Sequence, residues 1–120
     1  MIERIADLHD DVVGLTAKGK ITADDYESVV IPAVEAVLKK QSKIRLLYHI
    51  GPEFTGFTPG ALWRDAKIGF KHVSRWNKVA VVSDVGWIRG LIKPWGIVMP
   101  GELKVFSNKQ LSEAKEWLLS

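Results

Sequence analysis

The sequence predicts an α/β fold. It consists of a mostly parallel five-stranded sheet with an N-terminal antiparallel hairpin and four main helices, in the order β-β-α-β-α-β-α-β-α. Three observations lead there. Two strand-like apolar segments occupy the first 21 residues, separated only by His9-Asp10-Asp11, a connection short enough for a hairpin. Beyond Thr22, segments of helical periodicity alternate with short apolar runs, which calls for parallel strands joined by right-handed crossovers. The chain has 120 residues, 47% hydrophobic and 26% charged, a size and balance that fit one globular domain spanning 1–120.

Residues 2–8 form the first expected strand and residues 12–21 the second. In the second, Val13, Leu15, Ala17 and Gly19 alternate with Thr16, Lys18 and Lys20. His9, Asp10 and Asp11 read as a solvated turn, since no fourth ligand stands at a metal-binding spacing. Thr22 or Asp24 caps a helix reaching about Gln41, whose inner face carries Tyr26, Val30, Ala33, Val34, Val37 and Leu38. Pro32 should kink it. Residues 44–50 are an apolar run expected to be buried on both faces. A loop rich in Gly, Pro and aromatic residues follows over 51–60.

Thr58 is placed as N-cap and Pro59 as the first helical residue of a helix to about Val73. Leu62, Trp63, Ala66, Gly69, Phe70 and Val73 form its expected buried face, with Arg64, Lys67 and Lys71 outside. Asp65 and His72 stand about 10 Å apart on one face of that helix and are expected to be solvated. Residues 79–82 make a short strand and residues 103–106 the last. Ser107 and Gln110 fit a capping box, opening a C-terminal helix that buries Leu111, Ala114, Trp117 and Leu118.

Residues 85–99 stand apart. On a helical wheel Trp87, Val98, Leu91, Trp95, Ile88, Met99, Ile92 and Val85 share an arc of roughly 160°, wider than one packing face needs. Arg89 and Lys93 lie opposite, and no acidic residue is present. Such a helix meets a lipid interface or an apolar ligand; the plainer alternative is a core helix with a Trp-rich face. Pro94 and the glycines at 86, 90 and 96 limit the regular part to 85–92 and make Pro94-Trp95-Gly96 a kink or loop. A helix so weakly formed can move.

The net charge of +3 is unevenly spread. Residues 1–63 hold seven Lys and Arg against nine Asp and Glu, whereas residues 64–104 hold eight against three. The basic section thus contains the apolar helix, a combination that attracts anionic headgroups. Its cations are scattered and no nucleic-acid motif is visible, so no nucleic-acid partner is expected. The absence of cysteine excludes disulfides and thiolate chemistry. No run is long enough for a membrane span and no signal pattern opens the chain. The expected location is the cytoplasm, with peripheral contact at the inner membrane. No phosphate-binding glycine loop, nucleophile elbow or metal spacing occurs, so neither cofactor nor enzymatic activity is expected. His49 and Asp84, near strand ends, come closest to a catalytic pair.

Several motifs resemble the SpoIIAA-like family of the STAS superfamily. They are Gly19-Lys20-Ile21-Thr22-Ala23-Asp24-Asp25-Tyr26, Pro32, Lys43-Ile44-Arg45-Leu46-Leu47, Gly60-Ala61-Leu62-Trp63-Arg64-Asp65 and Gly69-Phe70-Lys71-His72. Val79-Ala80-Val81-Val82-Ser83-Asp84 before Trp87, and Phe106 with Glu113-Ala114-Lys115-Glu116-Trp117-Leu118, continue the series. The resemblance implies a STAS-like fold and a small bacterial cytoplasmic protein. Antagonists of anti-sigma factors in that superfamily are binding proteins switched by phosphorylation of a serine in an Asp-Ser-Ser-Gly-Leu-Gly segment. The corresponding stretch here, residues 55–62, lacks the aspartate and the serine pair, and Thr58 takes a nearby place. The architecture also resembles lipid-carrying CRAL-TRIO domains, in which an apolar helix gates a cavity.

The expected function is therefore that of a non-enzymatic binding module. Trp87, Ile88, Leu91, Ile92 and Trp95 contact a membrane surface or an apolar ligand, and Arg89 and Lys93 meet headgroups. The alternative is a protein-interaction module in a partner-switching circuit, docking or phospho-controlled through Thr55, Phe57 and Thr58. A homodimer is compatible with either.

Overall fold

The computed structural model describes residues 1–98 and 101–120 and, within the helix at 86–98, the side chains of residues 86–90, 92 and 93. Its strands are β1 (Ile2–Arg4), β2 (Val12–Ile21), β3 (Ile44–Phe57), β4 (Trp76–Ser83) and β5 (Glu102–Phe106). They lie side by side in chain order, with β1 antiparallel to β2 and every other pair parallel.

That order sets the layers. Right-handed crossovers that always step in one direction place their helices on one face of the sheet. Covering that face are a helical run made of α1 (Ala23–Asp25), a π-helical segment (Tyr26–Val30) and α2 (Ile31–Leu38), then α3 (Pro59–Lys71) and α4 (Gly86–Val98). Helix α5 (Leu111–Leu119) follows the last strand and packs on the opposite face. Strand residues divide accordingly, since alternate side chains point to opposite faces. Val13, Leu15, Ile44, Tyr48 and Val81 join the crossover-side core, whereas Val12, Leu47, Ala80, Val82 and Phe106 join the α5 side.

The expected order of elements is present, with five local differences. The first strand stops at Arg4 instead of Leu8. The chain turns through Asp7, at φ 61°, and lays Ile5 and Leu8 across Gly14. A Cβ on Gly14 would come within 2.9 Å of the Ile5 Cβ, which is fixed to the backbone, so glycine suits this crossing.

Second, β3 continues through the expected loop to Phe57, because β2 extends far enough to pair with it. Ile50 stands opposite Ala17 and Phe54 opposite Gly19, so residues 51–53 bulge against a single residue of β2. Third, the Thr22 helix begins with a capping box closed by Asp25 and ends at Leu38. A π-helical turn precedes Pro32, whose missing N–H and ring are what disturb regular α geometry there.

Fourth, α3 is rotated relative to expectation. Ala61 and Ile68 face inward, while Trp63 and Phe70 are 63% and 61% exposed. Fifth, α4 stays helical through Pro94 to Val98, where a kink or loop is expected from sequence. The proline removes one hydrogen bond, to the carbonyl of Gly90, and the helix continues past it.

Candidate functional site

Between the crossover face of the sheet and its helices lies an apolar cavity with about 110 Å3 of room for the centre of a water molecule. Leu15, Ile50 and Val81 form its floor, and Val30, Val34 and Ile68 its walls. Ile88 and Ile92 of α4 line it from the helix side. An apolar cavity of about 150 Å3 is enough to bind benzene, so this one is on the scale of a single ring.

One polar group interrupts the lining. The Tyr26 hydroxyl donates to Oδ1 of Asp65 at 2.9 Å and lies 3.0 Å from the Tyr48 hydroxyl. A phenol has one proton. Because that of Tyr26 goes to Asp65, the one between the rings comes from Tyr48. The helical run carries Tyr26 inward at its π-helical turn. Tyr48 shares the β3 face of Ile44 and Ile50. Asp65 lies one turn beyond Ala61 and one turn before Ile68, on the inward stripe of α3.

Burial raises the Asp65 carboxyl above the usual range, partly opposed by the Tyr26 hydrogen bond. Burial also raises both phenols, which stay protonated. The expectation that Asp65 is solvated on the surface of α3 is therefore corrected: it is only partly exposed, is bonded to Tyr26 and lines the cavity. Sequence reading missed all three residues as a site. A signal was present in the 61, 65 and 68 spacing, which places a carboxylate among inward residues.

The aromatic rim is the other notable feature. Phe54 and Phe57, at the end of β3, lie 4.9 Å apart between ring centroids, and Trp87 of α4 lies 6.0 and 6.2 Å from them. Phe57 also lines the cavity. Trp87 remains 52% exposed, whereas Ile88 is 1% exposed. The structure thus separates residues grouped together in the sequence reading. Ile88 and Ile92 face the cavity, while Trp87 lies at the rim and Arg89 and Lys93 are exposed. The side chains of Leu91 and Trp95 lie outside the described set, as does Met99 altogether.

The Thr55, Phe57 and Thr58 segment belongs to the end of β3 and the start of α3, where a free loop is expected. Thr55 is exposed. The Thr58 hydroxyl accepts the Ala61 N–H at 3.1 Å, and the Thr58 N–H donates to Ile21 O at 2.9 Å. Thr58 is therefore the N-cap expected from sequence.

His49 and Asp84 form no hydrogen bond with each other among the described residues; Asp84 accepts the backbone N–H of Asn108 at 3.0 Å. Burial, reinforced by nearby Lys115, lowers the His49 imidazole below its usual range. Asp11, expected in a solvated turn, accepts Arg45 Nε at 2.8 Å and lies 3.1 Å from His9 Nδ1. Among the described residues no three metal-ligating side chains come together.

A hairpin-edged, otherwise parallel sheet with its crossovers on one face and a terminal helix on the other is a STAS-type α/β domain. The chain belongs to the SpoIIAA-like family, whose model matches residues 12–119. The crystal structure of an uncharacterized protein with a SpoIIAA-like fold from Shewanella loihica is similar at 28% identity and a TM-score of 0.77, covering 98% of this chain and 93% of that one. No curated protein matches the chain. Domains of this fold generally serve as binding or interaction modules.

Proposed function

We propose that this protein is a non-enzymatic cytoplasmic binding module in which α4 covers an apolar ligand cavity and, on lifting, touches the inner membrane. The apolar cavity lined by Ile88 and Ile92 carries this reading. Trp87, with Phe54 and Phe57 beside it, supplies the aromatic edge that favours a lipid interface. Leu91 and Trp95 join that surface on the sequence pattern alone.

Opening α4 would add apolar area at about 25 cal/mol per Å2 removed from water. Exposed Arg89 and Lys93 would meet anionic headgroups. No helix among the described residues is long and apolar enough to cross a membrane, so the contact is peripheral. One short helix binds weakly, and its electrostatic part is screened by salt.

Tryptophan emission during titration with anionic and then neutral vesicles tests this. The expected result is a blue shift with anionic vesicles that shrinks in Trp87→Ala and Trp95→Ala and at high salt. Unchanged emission from folded protein with both lipids would contradict membrane contact.

A second reading, docking of a protein partner on residues 54–58, draws support from exposed Thr55 beside the half-buried rings of Phe54 and Phe57. It would be favoured if vesicles had no effect and Thr58→Glu altered capture of a partner without unfolding the domain.

A further inference from the structure

We infer that the cavity selects a small, neutral, apolar molecule bearing one hydroxyl group, and holds it by accepting the hydroxyl hydrogen on Asp65. The inference rests on reading the cavity as a ligand site and specifies what that site takes.

The hydrogen-bond accounting of the three polar residues leads to it. Tyr48 donates to Tyr26, and Tyr26 donates to Oδ1 of Asp65. Both phenolic protons are thereby used. The hydrogen bond from Tyr26 ends on Oδ1 of Asp65, and this partly exposed residue, with its second carboxyl oxygen, lines the cavity. What the trio still offers is an acceptor, in a space otherwise walled by aliphatic and aromatic side chains.

The chemistry of that single acceptor excludes other ligands. An anion would meet a carboxylate and find no free donor. An ammonium would bring three N–H donors to one open acceptor and leave the others buried and unpaired, which is costly. A hydroxyl brings one donor to one acceptor, and the rest of such a molecule can be apolar. A room of about 110 Å3 admits roughly one ring.

One further observation agrees: the π-helical segment begins at Tyr26 and ends at Val30, both of which line the cavity. Such segments recur at functional sites.

Calorimetric titration of the whole chain with phenol, toluene and benzylamine at neutral pH tests the inference. Phenol and toluene have nearly the same shape. A purely apolar cavity would favour toluene, because it leaves a buried hydroxyl unpaired. The expected result is that phenol binds at least as tightly as toluene and more tightly than benzylamine. In Asp65→Leu, phenol should weaken by about tenfold, the worth of one hydrogen bond, while toluene is retained.

Binding of toluene without phenol, or tighter binding of benzylamine, would overturn the hydroxyl preference and leave the apolar cavity standing as a ligand site. Binding of none of the three would overturn both. The comparison of probes in the unaltered protein decides the question even if Asp65→Leu does not fold.

Discussion

Arg45→Ala is expected to cost about 2 kcal/mol of folding stability, between an exposed ion pair and a fully buried one. Arg45 and Asp11 are only 13% and 22% exposed at their side chains. The guanidinium grips the Asp11 carboxylate with both arms, Nε to Oδ2 at 2.8 Å and Nη2 to Oδ1, and its remaining nitrogen donates to the carbonyl of Leu118. One side chain thus ties the start of β2, the start of β3 and the end of α5. Truncation leaves Asp11 with only His9 beside its carboxylate and takes the Arg45 donor from the Leu118 carbonyl.

The pH dependence has a definite sign. The Arg45 guanidinium holds the Asp11 carboxyl below the usual carboxylate range, although burial opposes it. A group whose folded value is depressed contributes stability above its unfolded value, about pH 4. It loses that contribution as pH falls through the folded value. Urea unfolding should therefore show a large gap between the unaltered protein and Arg45→Ala at pH 7 that narrows well below pH 4. A gap equal at both values would contradict the clamp.

Ile88→Ala is expected to cost about 2–4 kcal/mol, as for other fully buried aliphatic truncations. Ile88 is 1% exposed and belongs to the crossover-side core while also lining the cavity. The same change enlarges an existing apolar space, so ligands larger than one ring, such as naphthalene, should gain affinity relative to toluene. Chemical denaturation and calorimetry read the two effects. A variant as stable as the unaltered protein, with unchanged size preference, would mean that α4 does not close the cavity.

Most of the architecture was legible in the sequence because it rests on strong local signals. Alternation in β2, the apolar run of β4, and the Thr22, Thr58 and Ser107 caps each specify an element by chemistry close in the chain. Where the reading failed, a tertiary partner decided. The expected loop after Ile50 became strand because β2 runs alongside it. Helix α3 turned Trp63 and Phe70 outward, since its inward stripe includes Asp65, which Tyr26 binds from 39 residues away.

The candidate site was half legible. Apolar excess in residues 85–99 singled out α4, and Ile88 and Ile92 of that helix line the cavity. The wheel could not tell which residues face the cavity and which face the rim. The trio of Tyr26, Tyr48 and Asp65 joins three elements far apart in sequence; spacing along α3 turns Asp65 inward but does not encode its partners.

The central claim is that α4 is a cover able to lift while the sheet beneath stays folded. Composition favours this: Gly86 and Gly90 have nothing within 4 Å of where a Cβ would stand, so packing does not require these helix-weakening residues. Hydrogen–deuterium exchange of the backbone amides, with and without anionic vesicles, tests it most directly. The expected result is faster exchange in residues 86–98 than in β3 and β4, and a change on adding vesicles confined to α4 and the neighbouring 54–57 edge. Exchange in α4 as slow as in the central strands, and unaltered by vesicles, would contradict the claim and make α4 a fixed part of the core.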